Sequence, residues 1–186
     1  MRIRITKETN MLRPVVALTC AFALTVTGCA ALKSKPAVYE ITLAPTAGNT
    51  AAGKLTMSAV PDGVHLQGHL TGLTPGSTHG FHIHEHGDCS APDASTAGGH
   101  FNPNGTEHGD PAGLVHHAGD ISNQIADAQG AVDVDLTMHG VSIGTSTPDD
   151  VLGRSLVVHR DADDYATQPS GNSGPRIACG VILKKP

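Results

Sequence analysis

The stretch HGFHIHEHGDC, His79 to Cys89, carries four of the chain's twelve histidines, at positions 79, 82, 84 and 86. Alternate side chains of a strand share one face, so two imidazoles at i and i+2 can grip one metal ion. His82, His84 and His86 are therefore predicted to project together, with Ile83 and Glu85 opposite. An H-x-H pair by itself does not make a site, but the chain offers many further ligands. GGHFNPNGTEHGD supplies His100 and His108, and HHAGD supplies His116, His117 and Asp120. SLVVH ends in His159, with Asp161, Asp163 and Asp164 close behind. Imidazole suits copper and zinc alike, and a mixed imidazole–carboxylate set suits zinc. His65, His69 and His139 fall on the polar side of alternating segments and read as surface residues.

The elements that must position these groups are strands. Tyr39, Ile41 and Leu43 alternate with polar neighbours, as do Leu55, Met57 and Ala59. PDG at 61–63 is a turn signal. Val64, Leu66 and Leu70 follow the same rule, and so do Val132, Val134, Leu136 and Met138. SLVVH and RIACGVIL read as strands buried on both faces, and DAQG at 127–130 as a hairpin loop. No segment after the N-terminal region has a convincing period of 3.6. Short strands punctuated by 22 glycines and 12 prolines indicate an all-β sandwich or barrel. Residues 86–119 and 161–175 resist strand assignment. Long connections of that kind are usually functional, and both abut histidine-rich strands.

The N-terminus reads as an address. Arg2, Arg4, Lys7 and Arg13 precede an apolar run from Val15 to Val26, too short for a comfortable membrane span. The run ends in VTGC, which resembles the lipobox of bacterial lipoproteins, with Cys29 as the lipidated residue; the alternative is a plain secretory signal. The expected organisation is a signal peptide over 1–28, a lipidated tether over 29–36 and one domain over 37–186. Cys89 and Cys179 then remain as one possible bridge or two buried thiols. Cleavage leaves 8 Lys+Arg against 16 Asp+Glu, a net charge of −8. That acidity argues against nucleic acid as a partner and leaves lipid as the expected membrane attachment.

Five stretches in order, GFHIHEHGD, GGHFNPNGTEHG, HAGD, GRSLVVHRDADD and GNSGPRIACGVI, resemble the successive signatures of the copper/zinc superoxide dismutases. The likeness spans about 100 residues. The cysteine directly after HEHGD, the lipobox and the compressed last loop resemble the exported bacterial branch. The resemblance implies an eight-stranded Greek-key β-barrel, an immunoglobulin-like sandwich with two long functional loops. It also implies one copper and one zinc per subunit. His82, His84, His100 and His159 match the copper ligands. His100, His108, His117 and Asp120 match the zinc ligands, so His100 would serve both. Asp163 matches the carboxylate linking His82 to His108, Cys89 and Cys179 match the family disulfide, and Arg176 matches the arginine that attracts the substrate anion.

The implied activity is dismutation of superoxide to oxygen and hydrogen peroxide, with His100 and Arg176 as catalytic residues. The implied address is the periplasm, lipid-anchored at the outer membrane because Ala30 rather than Asp follows Cys29. The assembly expected is a homodimer or a monomer. The alternative is a periplasmic copper/zinc buffer or chaperone-like protein without catalysis. Two departures stand out. Residues 161–175 contain no Lys or Arg, so Arg176 acts nearly alone on the substrate anion or a lysine elsewhere, such as Lys54, assists. His86 occupies a position that the family does not use as a ligand, and is read as a surface residue.

Overall fold

Eight antiparallel strands account for nearly all regular structure in the computed structural model, which describes residues 37–185. The expected signal peptide, Cys29 and the tether lie outside the described residues. The strands are β1 (Val38–Pro45), β2 (Ala52–Val60), β3 (Gly63–Thr71), β4 (Thr78–His84), β5 (Asp120–Ile125), β6 (Val132–Met138), β7 (Ser155–His159) and β8 (Arg176–Lys184). Their hydrogen-bonded order is β5-β4-β7-β8-β1-β2-β3-β6. The two ends of that order, β5 and β6, lie against each other and nearly close the barrel. The Greek-key barrel expected from the resemblance is the fold found.

Alternation explains the wall made by β1, β2, β3 and β6. Ile41, Leu43, Leu55, Met57, Leu66 and Val134 point inward and are almost fully buried, while their neighbours along each strand face water. The PDG turn is confirmed: Val60 pairs with Gly63 across a two-residue loop. Gly63 takes φ +141°, and a Cβ there would strike the Met138 carbonyl.

The wall made by β4, β7 and β8 is buried on both faces through most of β4, all of β7 and residues 177–180 of β8; beyond them Val181 is half-buried and Leu183 exposed. Phe81 and Ile83 of β4, Leu156 and Val158 of β7, and Ile182 of β8 enter the barrel core. The outward residues of the same strands, His82, His84, Val157, His159 and Cys179, are buried as well. Their cover comes from the two long loops, residues 85–119 and 160–175. The first loop crosses back over β4: Glu85 N donates to Gly99 O, His86 N to Ala97 O and Phe101 N to Ile83 O. A disulfide between Cys89 and Cys179 pins it to β8, with the Cα atoms 5.8 Å apart. Among the two readings of these cysteines, the bridge is the one realised.

Two expectations are corrected, and the surface reading of His86 holds. β5 has no counterpart in the strand pattern, because DISNQI shows no alternation and begins with a buried carboxylate. The 127–130 turn forms, with Gly130 N donating to Asp127 O, but the strands it joins do not pair. Strand β4 ends at His84, so His86 leaves the shared face and is exposed beside Glu85.

Candidate metal centre

The two ligand sets form where the covering loops meet the outer face of β4 and β7. One nitrogen from each of His82, His84, His100 and His159 lies within 4.8 Å of the others, and all four residues are buried. A ring nitrogen from each of His100, His108 and His117 and a carboxylate oxygen of Asp120 likewise lie within 4.8 Å of one another, and all four residues are buried. His82 and His84 come from β4 and His159 from the end of β7, where strand pairing fixes their backbones. His100 forms an isolated bridge with His84, which places its ring between the two sets.

Hydrogen bonds select which nitrogen of each ring points inward. His84 Nδ1 donates to Gly98 O at 2.9 Å and His159 Nδ1 to Gly174 O at 3.1 Å. Their Nε2 atoms are therefore left facing each other, 3.3 Å apart. His82 Nε2 lies 2.7 Å from Asp163 Oδ2, and His108 Nε2 lies 2.9 Å from Asp163 Oδ1. One carboxylate thus joins a residue of the first set to a residue of the second. Such outer partners orient imidazole ligands and set their tautomers. Gly171, at φ +64°, packs against this link; a Cβ there would occupy the space of Asp163 Oδ1 and His108 Nε2.

Three buried polar side-chain atoms have no hydrogen-bond partner among the described residues: His82 Nδ1, His100 Nε2 and His108 Nδ1. Buried polar atoms are nearly always satisfied. Here each orphan points into one of the two ligand sets. His100 presents Nε2 to the first set, while its Nδ1 lies 2.9 Å from Asp120 Oδ1 and 3.4 Å from His117 Nδ1 in the second. Asp120 Oδ2 lies 3.0 Å from His108 Nδ1, within ion-pair distance but without hydrogen-bond alignment, so that nitrogen stays unpaired. The first set is all imidazole, which suits copper; the second adds one carboxylate to three imidazoles, which suits a closed zinc site. The donor sets fit the two ions that the fold family implies.

Electrostatics keep His82, His84, His117 and His159 neutral. Burial, then repulsion from His100 and His159, holds His82 and His84 well below the usual imidazole range. Burial pushes His159 down to about 4 and also lowers His117. Asp120 is raised by burial, but hydrogen bonds from His100 and the His117 amide outweigh that and keep it ionised. Neutral imidazole and ionised carboxylate are the forms that bind metal.

A cleft of about 490 Å³ is lined by His84, His100 and His159 of the first set and reaches His117 of the second, whereas His108 and Asp120 do not line it. Arg176 is the cation lining the cleft, with Glu85 its acidic neighbour there. Its guanidinium donates to Ala94 O, and through Nη2 to Gly98 O at 2.6 Å. Gly98 O is also the acceptor for His84 Nδ1, so one carbonyl holds both the arginine and a ligand. The disulfide-anchored loop supplies both carbonyls. Lys54 is elsewhere: it sits on β2 across from Thr42 and His69, and does not line this cleft.

The remaining histidines sort as expected. His116 Nδ1 turns to the His117 carbonyl, leaving His117 in the ligand set. His79 is buried, with Nδ1 donating to His159 O. His65 and His69 lie on the outer barrel wall beside Asp135 and Asp133. Two groups escaped the sequence reading. Asn123 Oδ1 accepts from Asp163 N, and its Nδ2 donates to Asp163 O, clasping the linking carboxylate's backbone. Gln168 makes the same double bond to His108. No spacing marks either residue, because the contacts cross 40 and 60 positions of chain.

Comparison with known proteins agrees with this geometry. The family described as copper/zinc superoxide dismutase (SODC) matches residues 51–182. The superoxide dismutase-like protein YojM of Bacillus subtilis (strain 168) is 42% identical over 125 residues, 66% of this chain and 64% of that protein. The extracellular superoxide dismutase [Cu-Zn] of Brugia pahangi is 40% identical over 126 residues, 63% of this chain and 61% of that protein. The matched stretch thus spans less than two thirds of either relative. Superoxide dismutase [Cu-Zn] 2 of Aquifex aeolicus (strain VF5) is 40% identical over 135 residues, 70% of this chain and 78% of that protein. Among solved structures, a double mutant of a SOD-like protein from Bacillus subtilis superposes with a TM-score of 0.70 at 41% identity, covering 77% of this chain and 96% of that one. Two ligand sets sharing His100, a carboxylate joining them, the barrel and the matched residues together place this chain in the copper/zinc superoxide dismutase family.

Proposed function

We propose that this protein dismutes superoxide to oxygen and hydrogen peroxide in the cell envelope, reached by export and lipidation at Cys29. The observation that carries the reading is the pairing of a shared ligand, His100, with a cation, Arg176, at the open side of one ligand set. A metal buffer needs neither.

Copper held by His82, His84, His100 and His159 would supply one-electron redox chemistry, and zinc held by His100, His108, His117 and Asp120 would supply fixed charge and order in its loop. The chain's own groups do the rest. Arg176 is always charged and offers forked donors, so it attracts a small anion and orients it toward His159 and His84. Its two carbonyl acceptors hold the fork in place without neutralising it. His100 Nε2 is a buried position where a proton can be held and passed to an oxygen atom in the cleft. Asp163 keeps the rings of His82 and His108 in one tautomer each.

The test is pulse radiolysis on protein whose copper and zinc contents have been measured. Fully loaded protein should consume superoxide catalytically. His159→Ala should abolish that consumption while zinc is retained. Loaded protein that leaves superoxide to decay at its spontaneous rate would favour the buffer reading instead.

A further inference from the structure

The zinc-side ligand His108 lies in the first long loop, and the loop over residues 160–175 packs against it. Asp163 reaches it from that second loop through a carboxylate. A second contact between the same loops uses the backbone of His108 rather than its ring, and involves no charge. Gln168 Oε1 accepts a hydrogen bond from His108 N at 2.9 Å, and Gln168 Nε2 donates to His108 O at 2.9 Å. The amide therefore closes a two-bond ring on the backbone of one residue, as a neighbouring strand would. A carboxamide carries a donor and an acceptor side by side, which a carboxylate does not. Rotation of His108 about either of its backbone torsions would break one of the two bonds.

The residues that follow Gln168 give this clasp a second end. Pro169 and Ser170 line the copper-side cleft, together with Gly174 and Arg176. The residue that holds the backbone of a candidate zinc ligand is thus directly followed in the chain by the wall that an incoming anion meets. Asp163 forms an inner route from His108 to the copper ligand His82. Gln168 forms an outer route from His108 to the cleft wall.

We propose that Gln168 is a positioning residue that couples the zinc ligand His108 to the wall of the copper-side cleft at Pro169 and Ser170. The inference rests on the metal-centre reading given above. Gln168 is exposed, so water competes for both bonds. That places the expected effect of losing them at about fivefold.

The experiment uses the full-length protein loaded with copper and zinc. Gln168→Met keeps side-chain length and removes both bonds. Gln168→Glu keeps an acceptor for His108 N and loses the donor. Thr167→Val removes the adjacent Thr167 Oγ1 to Asp164 Oδ2 bond and leaves His108 untouched. Zinc release to a chelator should be about fivefold faster in Gln168→Met, intermediate in Gln168→Glu and unchanged in Thr167→Val. Azide, as an anion probe, should bind zinc-loaded Gln168→Met several-fold more weakly, while the copper spectrum before azide stays that of the parent. Equal zinc release in parent and Gln168→Met, equal azide affinity, or an equal effect of Thr167→Val would each overturn the proposal. A parent protein that takes up no zinc would overturn the metal-centre reading along with it.

Discussion

The wall of β1, β2, β3 and β6 and the wall of β4, β7 and β8 are built from the same kind of strand but solve different problems. In the first, one face meets the core and the other meets water, as in β1, where Tyr39, Ile41 and Leu43 are buried between more exposed neighbours. In the second, alternation survives in orientation, yet both faces are dry beneath the covering loops, as in the wholly buried β7; only the end of β8 past Gly180 meets water on one face. The outer face of that wall carries imidazoles, a disulfide and Val157 rather than solvent-facing groups. The loops that cover it bury few large apolar side chains; Phe101 is the largest. Order in the first wall thus comes from apolar burial. Order in the cover of the second comes from a covalent link, from hydrogen-bonded polar groups and from donor atoms left free for metal.

The comparison can be broken or sharpened by perturbing each side. The largest effect is expected from Cys89→Ser. The lost link closes 90 positions of chain, which corresponds to about 4 kcal/mol in the chain-entropy model. Hydrogen exchange should accelerate most over residues 85–100. Equal acceleration in β1 to β3 would erase the distinction between the walls. Next comes Leu66→Ala, at a fully buried position of the first wall. Chemical denaturation should register a loss of about 3 kcal/mol, the same with and without metal. A loss that grew on metal removal would mean the two walls are not independent.

The smallest effect is expected from mild acid on the metal-free protein. Burial holds His82, His84 and His117 below the ordinary imidazole value and pushes His159 down to about 4. The unfolded chain, near 6.5 for each histidine, therefore binds protons that the folded chain refuses. Stability is intact above about pH 6.5 and falls as pH drops toward about 4. Melting temperatures taken at pH 7, 5.5 and 4.5 should decline in that order, and Leu66→Ala should leave the slope unchanged. A flat profile would show that these imidazoles are not buried neutral before metal binds.

Legibility in the sequence follows the same division. Alternating runs and the PDG turn sufficed for β1, β2, β3 and β6, because a half-buried strand writes its environment into every second residue. The candidate donors were legible as residue types, but their division into two sets came only from the resemblance of five ordered stretches to a known family. Strand β5 was not legible, since its first residue is a buried candidate metal ligand and, apart from buried Ile121, the rest of it is partly or fully exposed. Lys54 could not be ruled out of the cleft until the barrel put it on the far wall.

What the sequence alone determined is the strand class, the set of donor residues and the excess of negative charge, each a property of residue type and local spacing. Only the tertiary structure decided which nitrogen of each ring is free and that Asn123 and Gln168 clasp the backbones of Asp163 and His108. These are contacts between segments far apart along the chain. Their geometry depends on barrel closure and on loop packing, which no local pattern records.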